Sequence, residues 1–415
     1  MNVLFPMTAV LLCGTIFLTA ATSGLPPIER SRLQTIAFIG FAVRLLLALV
    51  FELFPGTRVT HEDASGYEAN AIAMARYWQG LGPPLIRSWE GLHNYGYYYV
   101  GGVLCYLFGP YRLNLSVWNA LFGALTIVIL YRMTAILFHR AVALRAAQLF
   151  AFMPSMITWS AVAIKDPVMV LLVASSLYFY ILLRRRWSFF LALLLTAAIT
   201  GTFFIRFYVT YFLIIAVIAT VLLGRRREGI APWRNLLFLI LFTLIVVLSG
   251  VGSNMSDGLS SFNLDYAVNF RNGMASTANS GFGRDIDYRT PGGLAVGLPL
   301  GLAVLFMGPF PWQMRSALPL LTLPEMIVWW SLLPSLWRGL RFAVNHAFLR
   351  ASPVLVFCIT LSITYAITLG NVGAAVRQRA QIFVFLFIFV ALGTYVKHCR
   401  KRKLDVRILL QGSGG

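Results

Sequence analysis

The residues best suited to chemistry in this sequence are carboxylates that follow an apolar run. Residues 61–68, which read HEDASGYE, hold three acids within seven positions and precede a helical pattern. Asp63 and Tyr67 are four residues apart and share one face of the predicted helix, whereas Glu62 and Glu68 lie on other faces and should tolerate Gln. A carboxylate at such a place can accept the proton of a hydroxyl group. Capping of the helix by Asp63 is the structural alternative.

A second set of candidates consists of cations on short turns between apolar runs. Lys165 and Asp166 close one run, Arg206 lies on another turn, and Arg377 and Arg379 lie on a third. Guanidinium groups form bidentate hydrogen bonds with phosphate oxygens, and the ammonium of Lys supplies a point charge. These residues therefore indicate a phosphate held at the level of lipid headgroups. Ordinary anionic lipid headgroups are the alternative ligand.

Composition defines the medium in which these residues work. Of 415 residues, 59% are hydrophobic and 12% charged, whereas a soluble domain has about a quarter charged residues. The sequence therefore predicts an all-α polytopic membrane protein and excludes disordered, collagen-like and soluble nucleic-acid-binding classes, so no nucleic acid partner is expected. The four cysteines show no metal-ligand spacing and no Gly-rich phosphate loop occurs. We predict no cofactor, with a divalent metal as the less favoured alternative.

Apolar runs must position the candidates, and a spanning helix needs about 20 mostly apolar residues. About eleven runs qualify: 3–22, 34–54, 115–138, 143–163, 167–183, 188–203, 207–223, 235–252, 321–338, 352–369 and 380–396. Two further runs, 94–108 and 291–309, are predicted to be re-entrant or interfacial helices. Basic residues cluster between alternate runs, at 30–32, 132–145, 184–186, 225–234, 338–350 and 397–407. Because short cytoplasmic loops carry the excess of Lys and Arg, we predict an outer N-terminus and an inner C-terminus.

This topology predicts a single integral membrane domain, 1–415, with two long outer segments. They are a first outer loop with juxtamembrane helices, 55–114, and a second large outer loop, 253–320. The candidates fall on these segments or on short outer turns, so we expect an active site on the outer face of a bacterial inner membrane. Arg44 lies inside the run 34–54, and an intramembrane Arg is usually paired, so we expect it to be bonded within the helix bundle.

The order of these features resembles that of GT-C fold glycosyltransferases. Arg44 inside a span, followed by Asp63 opening a D-x-x-x-Y-x-x-x-A helix, is similar to the first helix and loop of that superfamily. Residues 97–109 look like its aromatic juxtamembrane helix, and Arg112 looks like the start of its next span. Asp166 resembles the acid of its second outer turn. The likeness covers about residues 34–183, whereas the first helix, 3–22, departs from the usual pattern.

The resemblance implies a transferase of the protein O-mannosyltransferase or aminoarabinose transferase type. Such enzymes take a sugar from a polyprenyl-phosphate carrier and give it to a glycan, lipid or protein acceptor on the outer face, amid membrane lipids. It implies Asp63 as the catalytic acid/base, with Lys165, Asp166, Arg377 and Arg379 around the donor phosphate. We further expect Glu62, Tyr67 and Arg206 to bind the substrate. The second outer turn lacks a D-x-D motif, which favours a monophosphate carrier without metal. A phosphate leaving group needs no carboxylic acid to protonate it, so one carboxylate is enough and inversion is predicted.

Two other function classes remain open. A glycan polymerase or ligase that uses a lipid diphosphate would carry several arginines in one outer loop, and Arg271, Arg284 and Arg289 partly fit that description. A flippase or transporter of lipid-linked glycans would also place cations around a phosphate, but it typically shows internal repeats. We find no convincing repeat in this sequence.

Overall fold

The computed structural model describes residues 4–54, 61–83, 95–224, 264–277, 280–313 and 323–410, and these ranges contain α-helices and no β-strand. The all-α fold class is thereby confirmed. The α-helices, numbered here in chain order, are α1 (Leu4–Ala21), α2 (Pro27–Leu53), α3 (His61–Trp78), α4 (Gly96–Phe108), α5 (Leu113–Leu137), α6 (Arg140–Phe152), α7 (Pro154–Ser160), α8 (Asp166–Arg185), α9 (Phe189–Gly224), α10 (Leu264–Thr277), α11 (Pro291–Met307), α12 (Leu323–Thr368), α13 (Val372–Gln378) and α14 (Ala380–Lys401).

Seven of the described helices are long and apolar enough to cross a membrane: α1, α2, α5, α8, α9, α12 and α14. An eighth span results if α6 and α7, which are bent by 60° at Met153, count as one. These helices confirm a multi-pass integral membrane protein. The predicted number of eleven is not confirmed, and the run 235–252 lies outside the described residues. The predicted re-entrant runs correspond to the shorter helices α4 and α11.

Helix α9 contains a reversal of the chain at Arg206. The backbone of Arg206 is not helical, with φ −150° and ψ 87°. The hydroxyl oxygens of Thr202 and Thr210 are 2.8 Å apart, whereas eight residues of straight helix would separate them by about 12 Å. The chain therefore turns back at 204–206, between the two runs that the sequence predicts as separate spans.

Helix α12 also contains two segments, divided at Ala347, where φ is −139° and ψ is 23°. A straight helix of 46 residues would be about 69 Å long, more than twice the hydrocarbon thickness of a bilayer. Contacts with α14 show the reversal. Along the first segment of α12, the residue numbers of the contacted α14 residues increase, and along the second segment they decrease. The pairs are Trp329 with Phe383, Gly339 with Phe389 and, beyond Ala347, Phe357 with Phe385 and Tyr365 with Gln381.

The chain divides into two compact units, which are described separately. The first unit comprises residues 1–178, 204–206 and 399–415, and the second comprises 179–203 and 207–398. Helix α5 is the centre of the first unit, since nearly all of its residues are buried.

Arg44 is fully buried in the first unit, as the expectation of pairing within the bundle requires. Its guanidinium group donates hydrogen bonds to the carbonyl oxygens of Gly40 and Ala151, each at 2.9 Å, and of Phe150 at 3.3 Å. The last two carbonyls lie at the end of α6, where the bend at Met153 interrupts the helical hydrogen bonds. Arg44 thus joins α2 to the bend through backbone carbonyls and not through a carboxylate.

In the second unit, α12 and α14 cross with their backbones in direct contact at two glycines. A Cβ atom added to Gly393 would lie 1.8 Å from the carbonyl oxygen of Ser335, and one added to Gly339 would lie 1.8 Å from that of Phe389. Small residues allow such close approach between membrane helices.

We predict that Gly393→Ala separates α12 from α14 and lowers the free energy of unfolding by about 1–3 kcal/mol, the usual cost of overpacking. The measurement is thermal unfolding of the purified protein in detergent. Gly273→Ala is the matched control, because no atom lies within 4 Å of a Cβ added on Gly273 in α10. Equal stability of the two variants would contradict the close crossing.

Candidate functional site

One end of the first unit collects the segments that the sequence singles out. The end of α2 packs against the turn that precedes α8, because Phe51 lies in one apolar cluster with Val162 and Ile164. Tyr67 of α3 packs on the same cluster. Helix α4 begins against the turn 204–206, since a Cβ atom added at Gly96 would lie 2.6 Å from the carbonyl oxygen of Phe204. Five segments therefore meet at this end: the end of α2, α3, the start of α4, the turn before α8 and the turn 204–206.

A buried ion pair joins two of these segments. A guanidinium nitrogen of Arg206 lies 2.7 Å from a carboxylate oxygen of Asp166, and the side chains are 3% and 2% exposed. Asp166 is the first residue of α8, where the helix N-terminus favours negative charge. Burial of two charges is costly unless their geometry is good. The structure thus brings the two predicted residues together, and it gives Arg206 a partner within the protein.

Asn119 of α5 fixes the turn that carries Lys165 and Asp166. Its buried amide nitrogen donates to the carbonyl oxygens of Val162 at 2.7 Å and Ile164 at 2.8 Å, and to the hydroxyl of Tyr97 at 2.9 Å. These carbonyls follow the end of α7, where intrahelical partners are lacking. Sequence reasoning overlooked Asn119. The available signal is a carboxamide near the start of the mostly apolar run 115–138.

Three tyrosines connect α3 to the start of α4. The ring of Tyr67 meets Tyr97 edge to face at 5.0 Å and Tyr98 at 5.6 Å between centroids. Burial raises the pKa of Tyr97 well above its ordinary value, and the nearby charges of Glu68 and Asp166 raise it further, while the hydrogen bond with Asn119 opposes the increase. Tyr97 therefore lies between the acids of α3 and α8.

Asp63 is an exposed acid at this end. It lies in the first turn of α3, which begins at His61, so the predicted helix is confirmed. Partial burial is the main cause that raises the pKa of Tyr98, and the charge of Asp63 contributes to the increase, which places Asp63 near Tyr98. Tyr67, one turn later, is half-buried. The side chain of Glu62 lies outside the described part of the structure.

Glu68 requires a correction. The expectation that it tolerates Gln rested on its position on a different helix face from Asp63, but its side chain is 2% exposed and accepts a hydrogen bond from Arg112 at 2.9 Å. This hydrogen bond, with the charge of Glu68, raises the pKa of Arg112. Substitution by Gln would replace a charge-assisted contact by a neutral one at a buried position. Glu68 is therefore unsuitable as a neutral control for Asp63.

In the second unit, the two late arginines differ in their surroundings. Arg379 is 1% exposed, donates to the carbonyl oxygen of Gly308, and lies 4.7 Å from the ring centroid of Phe383. Burial lowers the pKa of Arg379 to about 10, and the charge of Glu325 opposes the decrease. Arg377 lies on α13 and is half-buried. Lys165, also half-buried, belongs to the first unit, and a phosphate shared by these three cations stays a prediction.

The arginines on which the polymerase alternative rests are bonded within the second unit. Arg271 is fully buried and donates to the carbonyl oxygens of Leu369 at 2.5 Å and Phe282 at 3.2 Å. Arg284 donates to a backbone carbonyl of α10, and Arg289 pairs with an acid of α10 at 2.7 Å. These hydrogen bonds hold the segment 280–290 to α10 and to the end of α12.

Acidic and sulfur ligands do not converge in the described ranges. No three His, Cys, Asp or Glu side chains there are placed so that they could share a metal ion. The absence of a metal or cofactor stays a prediction from the sequence.

Comparison with known proteins identifies the architecture. A family model described as dolichyl-phosphate-mannose-protein mannosyltransferase matches residues 93–250, which is less than half of the chain. A solved structure of the archaeal oligosaccharyltransferase AglB from Archaeoglobus fulgidus, in complex with an inhibitory peptide and a dolichol-phosphate, superposes with a TM-score of 0.52 at 16% identity. The match covers 91% of this chain and 51% of that one.

A second structure, the apo form of an Archaeoglobus fulgidus oligosaccharyltransferase, gives a TM-score of 0.52 at 15% identity, covering 92% of this chain and 53% of that one. This chain thus spans about half the length of the oligosaccharyltransferases that it matches. No curated protein sequence matches it significantly. The matched family and both structures are GT-C fold glycosyltransferases, so the resemblance to this superfamily is confirmed and the chain has the GT-C fold.

The contrast between the late arginines predicts different effects of their loss. Arg379→Ala leaves Gly308 and Glu325 without the buried guanidinium group, so we expect the free energy of unfolding to fall by roughly 3 kcal/mol. Arg377→Ala should cost clearly less. Thermal unfolding of the two variants in the same detergent measures the difference. Similar losses for both would show that Arg379 has no special structural role.

Proposed function

We propose that this protein is a membrane glycosyltransferase that transfers a sugar from a polyprenyl-phosphate carrier to an acceptor hydroxyl group, with inversion at the anomeric carbon. The family match and the GT-C fold support a glycosyltransferase that uses a lipid-linked sugar. The observation that carries the proposal is the position of Asp63, an exposed carboxylate near Tyr98 at the end where α3, α4, α8 and the turn 204–206 meet.

In the proposed reaction, Asp63 is the general base. The acceptor hydroxyl gives its proton to a carboxylate oxygen of Asp63 while the hydroxyl oxygen attacks the anomeric carbon. The bond between that carbon and the carrier oxygen breaks, and its electron pair stays on the carrier phosphate. Attack from the face opposite the leaving group inverts the anomeric carbon. The step needs no second carboxylate, because the phosphate leaves as an anion.

Lys165 is the proposed donor-binding cation of the first unit. Asp166 and Arg206 neutralise each other in a buried pair, and in this proposal Lys165 supplies the positive charge that faces the donor phosphate. A half-buried ammonium group can donate hydrogen bonds to phosphate oxygens and stabilise the charge that develops on them. In this proposal the ion pair supports the turn that carries Lys165 and does not itself contact the phosphate.

Tyr67 and Tyr98 are the proposed walls of the sugar site. Their rings lie 5.6 Å apart on the side of α3 that carries Asp63. Aromatic side chains offer a rigid apolar surface with a polar tip. Such a surface suits a sugar ring, which has apolar faces and hydroxyl edges.

The proposed orientation places this site on the outer face of a bacterial inner membrane. The ends of α2 and α5 opposite the site carry the basic residues Arg30, Arg32 and Arg132, and α6 begins there with Arg140. Cytoplasmic loops are rich in Arg and Lys. The basic end therefore supports a cytoplasmic position for those residues and an outer position for Asp63.

We predict that Asp63→Asn slows sugar transfer by roughly 10²–10⁴-fold, because the amide keeps the size of the side chain but cannot accept the proton. The assay is release of sugar from polyprenyl-phosphate mannose by the reconstituted protein, with affinity for the donor measured separately. Donor affinity should change little.

Glu62→Gln is the matched control for this experiment, since it removes the neighbouring charge. It should retain most of the activity. A wild-type rate for Asp63→Asn would exclude the mechanism, and an inactive Glu62→Gln protein would move the base by one residue.

We predict that Lys165→Met weakens donor binding by roughly 10–100-fold, which corresponds to a lost charged hydrogen bond of about 1.5–3 kcal/mol. Lys165→Arg keeps the charge and should restore most of the affinity. Unchanged donor affinity in Lys165→Met, measured on protein with wild-type thermal stability, would remove Lys165 from the donor site.

A further inference from the structure

The last residues of α14 and the segment that follows it carry a dense set of exposed cations that the proposed reaction does not use. Residues 399–410 contain a single acid, Asp405, and five basic residues, all exposed: Arg400, Lys401, Arg402, Lys403 and Arg407. Leu404 and Ile408, 54% and 47% exposed, lie among them. The surface therefore combines high positive charge with two solvent-facing apolar side chains.

Residues 399–410 belong to the first unit and are held in place by contacts within it. Their backbone returns at the end of α14, where the amide of Leu404 donates to the carbonyl oxygen of Cys399 at 2.9 Å, and it continues as the short helix Val406–Leu410. The buried Leu409 anchors it, and the carbonyl oxygen of Leu409 accepts a hydrogen bond from the amide of His139 at 2.9 Å. Runs of like charge usually repel one another and remain solvated. Here the fold holds them in one arrangement.

The backbone of Lys403 supports the same conclusion. Its φ angle of 56° lies in the left-handed region, which is unfavourable for a side chain such as Lys. Glycine or asparagine would adopt this conformation at lower cost. The turn thus keeps a cation where the local backbone favours a different residue.

The position of the segment indicates what it meets. It begins where the spanning helix α14 ends and it contacts His139, between the end of α5 and the start of α6. Ends of spanning helices lie at the level of the lipid headgroups. Cations at this level attract anionic lipids, and apolar side chains among them can enter the boundary of the acyl chains.

We propose that residues 399–410 form a binding surface for the headgroups of anionic phospholipids. The excess of Lys and Arg in cytoplasmic loops explains why these cations lie on one side of the membrane. It does not require that the fold hold the cations in one conformation. The anchored Leu409, the exposed Leu404 and Ile408, and the backbone of Lys403 are what distinguish this surface from an ordinary basic loop. The proposal does not depend on the reaction at Asp63.

The test uses the purified full-length protein in neutral detergent, titrated with phosphatidylglycerol or phosphatidylcholine and examined by native mass spectrometry. We expect phosphatidylglycerol to bind at least tenfold more tightly than phosphatidylcholine. Replacement of Arg402, Lys403 and Arg407 by Gln should remove most of this preference. Replacement of three exposed cations outside the surface, Arg32, Arg76 and Arg341, removes the same charge and should change the affinity less than threefold.

A second variant separates a fixed surface from charge alone. Leu409→Ser keeps every cation but removes the anchor, so it should lower the affinity for phosphatidylglycerol severalfold while the thermal stability of the rest of the protein is retained. Equal losses in the two triple variants, or a wild-type affinity for Leu409→Ser, would overturn the proposal. Competition by polyglutamate at a similar concentration to phosphatidylglycerol would instead assign the surface to an acidic protein.

Discussion

Guanidinium groups that donate to backbone carbonyls at helix ends are the interaction on which this structure depends. The last carbonyls of a helix have no intrahelical donor, and inside a membrane protein water cannot replace one. In the described residues, arginines supply the donors at four such places: Arg44 at the end of α6, Arg132 at the end of α1, Arg271 after α12 and Arg379 after α11. The negative end of the helix dipole adds to each contact.

This use of arginine changes how the charge of the chain is understood. Cations on short outer turns suggest sites for anions, and on that basis the sequence predicts Arg206, Arg377 and Arg379 near a phosphate. In the structure, Arg379 and Arg271 are occupied by carbonyls, and Arg206 by Asp166. Lys165 and Arg377 differ from these three arginines because their side chains are half-buried, whereas those of the three arginines are fully buried.

The candidate site is built in the same manner from helix ends. Asn119 supplies the donor for the carbonyls after α7, and the ion pair of Asp166 with Arg206 joins the start of α8 to the reversal in α9. Tyr67 and Tyr97 fill the space between these turns and α3. These contacts define the surroundings of the exposed Asp63, and a defined position is the condition that the proposed acid–base catalysis requires.

The sequence by itself determined the membrane class, the helical fold, the helix that carries Asp63 and the reversal near Arg206. These follow from hydropathy and from residue spacing, which are local properties of the chain. Only the tertiary structure decided which polar groups are bonded to each other. Arg44 and Ala151 are separated by 107 residues, Asn119 and Ile164 by 45, and Glu68 and Arg112 by 44. No local pattern records such pairs, because partners are chosen when helices pack and each buried donor or acceptor must find a neighbour. The sequence alone therefore does not predict that Glu68 is buried or that Asn119 binds the turn before α8.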